Sequence, residues 1–571
     1  MLDLNAYRLG FAPLLAALVI VAFSLQGVPE PLEPAVGTIE FNAEAAADSA
    51  RDLARVAPDR RAGSDAAAAG ADFVRKSFEE IATGSVAEQT FDASVNGKDV
   101  ELRNVLLTLP GTSDGAILVA AERDTRSGSG AASSAAATGV LVELAAELGV
   151  AGRERTLIFG SIDGAGGEAD GIREMIDALP ERTVVDAAVV ISQPGAAEPA
   201  EPHLVTSSGG EVRPSQSLIR TAEETLVSRA QTGSGLDGAL GQIARLALPA
   251  AAGAQAALLA EGVDAVAISG AGEVPLPPDE SADDEQLSPD SVERFGATVL
   301  ALVGALDTAP APGVEDPESY VRLGDNTIPG WAISLLALAL LVPPALPVAL
   351  ALARARRDGS SRLALGWAAE WAIVALTPLL ALYLLAFAGM IPRPEVPYDP
   401  GRFAVGPVEV IAMVFLALLA LGAWWILGLR RAPARPDAAL LGTAAGALCL
   451  AACFVAWIAN PFLALAMAPL AHVVMIHRTA GRLAAGAAVG LALVAAVPVT
   501  AVVLHVAGAL DWGASTPWQL VVLVAGGGLG LFATASLAVA LAAVVAVVRA
   551  ALRSPSAALG AAPQTAPRGR P

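Results

Sequence analysis

Apolar positions along this chain fall into two regimes. From residue 330 onward, long apolar runs follow one another, and an isolated run, LGFAPLLAALVIVAFSL, fills residues 9–25. Between them, residues 28–329 carry only short runs broken by turn residues. In that middle stretch, residues 42–57 and 69–82 repeat apolar positions at helical spacing, and TGVLVELAAEL (138–148) does the same. NVLLTLPG (104–111), GAILVAAE (115–122), RTLIFGSID (155–163), VVDAAVVI (184–191) and GVDAVAIS (262–269) read as strands closed by turn signals. Strands alternating with helices predict an α/β domain with a mostly parallel sheet flanked by helices. The near-continuous apolar strands predict a sheet covered on both faces.

The long runs predict membrane spans, since a crossing helix takes about 20 apolar residues. Seven segments follow residue 329, at about 330–353, 363–391, 405–429, 438–459, 462–477, 483–508 and 517–548. Residues 9–25 read as an uncleaved anchor or as a signal peptide; no small-residue cleavage site follows closely, and VPEPLEP continues instead. Arginines fall in alternate loops: Arg8, RARR (354–357), RR (430–431), HRTAGR (477–482), and Arg549 with Arg553. By the positive-inside rule, eight spans with both termini cytoplasmic satisfy this pattern and place residues 28–329 outside. The expected units are residues 1–27 (cytoplasmic start and anchor), 28–310 (an extracytoplasmic domain), 311–329 (a linker), 330–550 (an all-α transmembrane bundle) and 551–571 (a Pro/Ala-rich disordered tail). The Ala/Arg-rich, Lys-poor composition suggests a bacterial plasma membrane.

Charge sharpens the division. Residues 28–329 hold 49 Asp and Glu against 20 Lys and Arg, while the rest of the chain is net basic. Clustered cations are absent from the acidic block, so nucleic-acid binding is excluded; the bilayer and a peptide or protein partner remain as expected partners. The two cysteines, Cys449 and Cys453, lie in one apolar run, so the acidic domain has no disulfide framework.

In parallel sheets, sites form at the C-terminal ends of strands. Those ends are AERD (121–124), DGAGG (163–167) and ISQPG (191–195). The running order of RRAGS (60–64), RNVLLTLPG, ILVAAERDT, TGVLVELAAEL, RTLIFGSIDGAG and EGVDAVAIS resembles the di-zinc aminopeptidase family over residues 42–307. The resemblance implies a zinc-aminopeptidase-like fold. It also implies where a two-zinc site with its general base would lie, and those positions are altered. Glu122 stands for the first His and Asp124 keeps the carboxylate that orients it; Ala135 stands for the bridging Asp. Asp163 is kept, Ala165 and Gly166 replace the paired Glu, Ser192 falls at the later Asp and Gln255 at the last His. Chemistry agrees: alanine and glycine bind no metal, and the domain holds one histidine, His203. No catalytic residue or cofactor is therefore expected, with zinc only if the site works after all.

Other features read as structural. PDESADDEQLSPD (278–290) reads as a solvated acidic linker, and Ser133, Ser134 and Ser192 as loop serines, since no G-x-S-x-G is present. The Gly-rich stretch 127–139 lacks the lysine of a phosphate loop. Glu370, between Trp367 and Trp371, is an intramembrane carboxylate and so a candidate for a proton or solute path. The leading expectation is a membrane-anchored, catalytically inactive peptidase-like protein that binds a peptide or partner outside the cytoplasm and scaffolds a complex. An active membrane metallo-aminopeptidase and a transporter-like bundle are the alternatives.

Overall fold

The computed structural model describes residues 3–553 apart from 34–39, 82, 96–97, 126–127, 165–170, 180–182, 196–200, 234, 275–286, 310–317, 395–397, 430–437 and 476–484. Ala165, Gly166, most of the acidic 278–290 stretch and the tail thus lie outside the described residues.

The chain opens with α1 (Leu4–Leu9), α2 (Phe11–Phe23) and the short strand β1 (Gln26–Gly27). Then come α3 (Ala43–Val56), α4 (Asp65–Glu79), β2 (Ser85–Val95), β3 (Lys98–Leu109) and β4 (Gly115–Glu122). A π-turn at Ala131–Ala135 enters α5 (Ala136–Val150), followed by β5 (Thr156–Ile162), α6 (Gly171–Asp177), β6 (Val184–Ser192) and β7 (His203–Val205). Next are α7 (Gln216–Thr225), α8 (Ala239–Ala247), α9 (Gln255–Ala260), β8 (Ala265–Ser269) and α10 (Pro289–Thr308). Side chains of Asn42, Ser64, Ser215 and Ser288 cap α3, α4, α7 and α10, each accepting from a free first-turn N–H.

The seven strands lie in the order β2-β3-β5-β4-β6-β8-β7. The central four, β5, β4, β6 and β8, run parallel; β2, β3 and β7 are antiparallel additions at the edges. The parallel centre matches the expectation from the apolar runs, but the sheet as a whole is mixed rather than mostly parallel, because its edge strands join as antiparallel neighbours. Alternate strand residues serve opposite layers. Ile117, Val119, Phe159, Val189 and Ile191 pack under α3, α5 and α10, while Leu118, Ala120, Ile158, Ala188 and Val190 pack under α6 and α9. Burying each Val, Leu, Ile or Phe contributes about 1.5–3 kcal/mol, so both layers hold this half together.

The helical half comprises α11 (Gly330–Arg357), α12 (Ser361–Phe387), α13 (Pro407–Leu429), α14 (Ala438–Ala459), α15 (Pro461–His472), α16 (Ala485–Ala509), α17 (Thr516–Ala525) and α18 (Leu531–Arg553). Eight helices among the described residues are long and apolar enough to cross a membrane. Seven of them overlap segments read from the sequence, and the set differs at three places. One is Ala131–Val150, which lies against the sheet as the π-turn and α5. The run 462–477 forms α15, whose 12 residues reach only about 18 Å, short of a hydrocarbon core. It is buried among its neighbours instead, with Phe462, Ala464, Met467 and Ala471 fully covered. The run 517–548 breaks into α17 and α18 at Gly526–Gly530, where a glycine-rich turn interrupts the helix.

The N-terminal helices pack on α11. A Cβ at Gly10 would lie 2.4 Å from Pro343 Cα, so only glycine permits this approach. Pro344 lacks an N–H, which leaves the Leu340 carbonyl without its helical donor. His472 Nε2 donates to that carbonyl at 2.9 Å, and its Nδ1 accepts from the Tyr7 hydroxyl at 2.8 Å. The two halves meet through a second sheet, β1-β10-β9, with β9 (Tyr320–Leu323) and β10 (Asn326–Pro329) leading straight into α11. Asn460 Nδ2 donates to Leu246 O at 2.8 Å, and the Tyr398 N–H donates to Ala251 O at 2.7 Å across the same junction.

Candidate functional site

β4, β5 and β6 end in step. Glu122 pairs with Ile162 and Ala121 with Ile191, so Glu122, Asp163 and Ser192 stand along one sheet edge. Ala135 is fully buried in the π-turn that enters α5. Four of the expected positions are therefore carried by neighbouring elements, and Asp124 follows Glu122 past the strand end.

The centre of this edge belongs to a residue that the spacing argument passed over. Arg123 turns inward and is fully buried. Its Nη1 donates to Ser161 O at 3.2 Å and to Ser161 Oγ at 3.0 Å; Nη2 donates to Arg103 O at 2.6 Å. Nη2 also pairs with Asp163 Oδ2 at 3.2 Å, an oxygen that accepts the Arg103 N–H as well. Asp163 is itself buried, and Asn104 braces it by accepting its N–H and donating to Gly171 O.

A second buried arginine, Arg60, lies next to it. Its Nε donates to Arg123 O at 3.0 Å, Nη1 to Ala57 O and Ser129 O, and Nη2 to Ser134 Oγ. Gly70 makes room for both stems: a Cβ there would sit 2.9 Å from Arg60 Cδ and 3.4 Å from Arg123 Cδ. Burial, and then the neighbouring Arg123, lower the Arg60 guanidinium to about 10, with Asp124 opposing. Burial also lowers Arg123, against the pull of Asp163 and Asp124.

Asp124 is half-buried and raised to about 6, first by burial and next by Asp163, while Arg123 and Arg402 pull the other way. Arg402 belongs to the segment joining α12 to α13, so this edge of the sheet faces the helical half. A carboxyl raised on folding binds its proton more tightly in the folded state. Its contribution is complete below the unfolded value of about 3.8 and is lost as pH rises through about 6. Melts of the detergent-solubilised chain should therefore show stability falling across that window. Asp124→Asn should flatten the fall; an unchanged profile would rule out Asp124 as its source.

Gln255 sits elsewhere. It is fully buried, and its Nε2 donates to Ser207 O and Oγ at 3.2 Å each. Ser207 in turn donates to Glu273, which pairs with Arg245. Glu370 is half-buried on α12 in the helical half, flanked in sequence by the T-shaped Trp367–Trp371 pair. His203 is exposed.

Zinc takes four N, O or S ligands in a tight shell. Here Asp163 Oδ2 is engaged by Arg123 and Arg103, Ala135 offers no donor, and Gln255 turns to Ser207. A cation beside the buried Arg123 guanidinium would meet like charge at low dielectric. The described residues at this edge do not fit a zinc pair. Among the described residues no group of three or more His, Cys, Asp or Glu is placed to hold a metal.

No family model matches the chain, and no curated protein matches it. Among solved structures it is similar to a glutaminyl cyclase from an Acidobacteriales bacterium, at 16% identity over 50% of this chain and 100% of that one, with a TM-score of 0.39. It is also similar to a zinc aminopeptidase from Bacillus subtilis, at 12% identity over 49% and 99% with a TM-score of 0.40. A leucine aminopeptidase precursor from Bacteroides thetaiotaomicron gives 14% identity over 47% and 99% with a TM-score of 0.36. These are likenesses of about half the chain.

Proposed function

We propose that this is an integral membrane protein whose α/β half is a non-catalytic, aminopeptidase-like unit held outside the cytoplasm. In this reading that half binds a peptide or a partner protein, and the helical half anchors the assembly. The carrying observation is Arg123. A fully buried guanidinium bonded to Asp163, Ser161 and Arg103 lies where the resemblance would place zinc chemistry. The site then keeps a positive charge of its own, supplied by the chain. The long apolar helices and the alternating arginines support the membrane placement.

The test is metal content. Full-length protein in detergent, dialysed against zinc and then against buffer, should retain no stoichiometric zinc by elemental analysis. Retention of about two zinc per chain, the content of a two-metal hydrolase, would overturn the reading and call for peptidase assays.

A further inference from the structure

Away from the sheet edge, a cavity of about 260 Å³ opens where α7, α8 and the β9–β10 hairpin meet. Its wall is set by two periodicities. Gln216, Ile219, Arg220 and Glu223 share one face of α7, and Tyr320 and Arg322 share one face of β9. Three guanidinium groups, Arg213, Arg220 and Arg322, line this one space. Arg220 and Arg322 both bond to the same Glu223 Oε2, at 3.0 and 2.6 Å.

Arg213 makes no direct ion pair among the described residues. It is buried at 7% exposure, donates from Nη1 to Gln242 Oε1 and lies 4.9 Å over the Tyr320 ring. Among the described residues no carboxylate lies within ion-pair distance of it. Arg220 Nε is also buried without a hydrogen-bond partner. The other acid in the wall, Asp237, pairs at 3.1 Å with His505 from α16. Asp237 and Glu223 act on Arg213 only at longer range, and burying an arginine with no carboxylate in direct contact is costly. The cavity therefore has a place for an anion, in a domain whose sequence is otherwise strongly acidic.

Position narrows the class of anion. Val28, in the wall, follows the end of α2 by five residues, and Leu323 and Gly324 precede α11 by a similar stretch. Phe23, Leu323 and Trp331 are exposed around these helix ends, at 88%, 53% and 57%. A tryptophan at a helix end, here Trp331, marks the depth of lipid headgroups. Arginine forks match phosphate oxygens in pairs. The volume lies below that of drug-sized pockets, which suits a headgroup.

We propose that the Arg213–Arg220–Arg322 cavity binds a phosphate group, presented by an anionic phospholipid headgroup or as free phosphate. The headgroup source rests on the membrane placement proposed above.

The test uses the full chain in uncharged detergent, titrated calorimetrically with dihexanoyl-phosphatidylglycerol and, separately, with inorganic phosphate. Binding should weaken about 10- to 100-fold in Arg213→Gln and in Arg220→Gln, as expected for a lost hydrogen bond to a charged group. Arg51→Gln, on the exposed face of α3, serves as control and should bind as the parent does. Arg220 is half-exposed, so its variant should melt as the parent does and reads binding alone if Arg213→Gln misfolds. Tighter binding of the lipid than of phosphate supports the headgroup source. Phosphate binding as tight or tighter keeps the phosphate site and overturns the lipid source. No binding of either probe, or binding unchanged in both variants, overturns the proposal. Carbonate extraction of the native membrane fraction tests the placement separately: release of the chain would overturn that placement while the phosphate titration stays readable.

Discussion

Arg123→Ala should destabilise the protein by about 3–5 kcal/mol, the cost of removing one partner from a buried ion pair. The substitution strands three groups at once. Asp163 loses the cation beside it, and the carbonyls of Ser161 and Arg103 lose these donors. The expected drop in melting temperature is roughly 10 °C for a unit of this size. Arg123→Lys should recover little, because one ammonium cannot reach the points that a planar fork spans. Pairing Arg123→Met with Asp163→Leu should recover much of the loss, since apolar groups then replace both charges. Thermal denaturation of the three detergent-solubilised variants beside the parent measures all of this. A single mutant that melts like the parent would mean that Arg123 is not buried against Asp163.

The second large effect is expected at Arg155. This side chain closes the C-terminal end of α10, where helix carbonyls have no intrahelical donor. Its Nη1 donates to Leu306 O at 2.5 Å and to Asp307 O and Ala309 O at 2.9 Å, while Nε pairs with Asp186 at 3.0 Å. The carboxylate of Asp307 returns the contact by accepting the N–H groups of Glu154 and Arg155. A cation here also meets the negative end of the helix. Arg155→Ala should cost about 2–4 kcal/mol, several hydrogen bonds to a charged group less the relief from local water. Hydrogen exchange should show the last turns of α10 opening first. Protection there equal to the parent would contradict the capping role.

How far these features could be read from the chain depends on what each one leaves in the composition. Buried parallel strands leave continuous apolar runs, so β4, β5, β6 and β8 were legible within a few residues. β2, SVAEQTFDASV, is an edge strand with one wet face and reads as polar. Its signal was the Asn96-Gly97 pair that separates it from β3, a standard hairpin dipeptide. In the helical half, apolar content gives the runs but not their breaks, although GGGLG at 526–530 marks one.

At the site, the strand ends could be placed because a parallel sheet fixes them. The inward turn of Arg123 could not, because an arginine so near a strand end is usually exposed. The anion cavity was invisible for another reason. Arg213, Arg220 and Arg322 lie on a loop, a helix and a strand, and only the tertiary fold brings them together.

The β1–β10 pairing has a consequence for synthesis. Thr327 bonds to Gln26 across 301 positions of chain. At ribosomal speeds of about 5–20 residues per second, the first strand waits roughly 15–60 s for its partner to emerge. During that time it is an unpaired edge at the base of a nascent domain. The whole α/β half must be made before the small sheet can close behind it. A product cut short after α10 would keep that edge bare, so premature termination should leave a sticky stub.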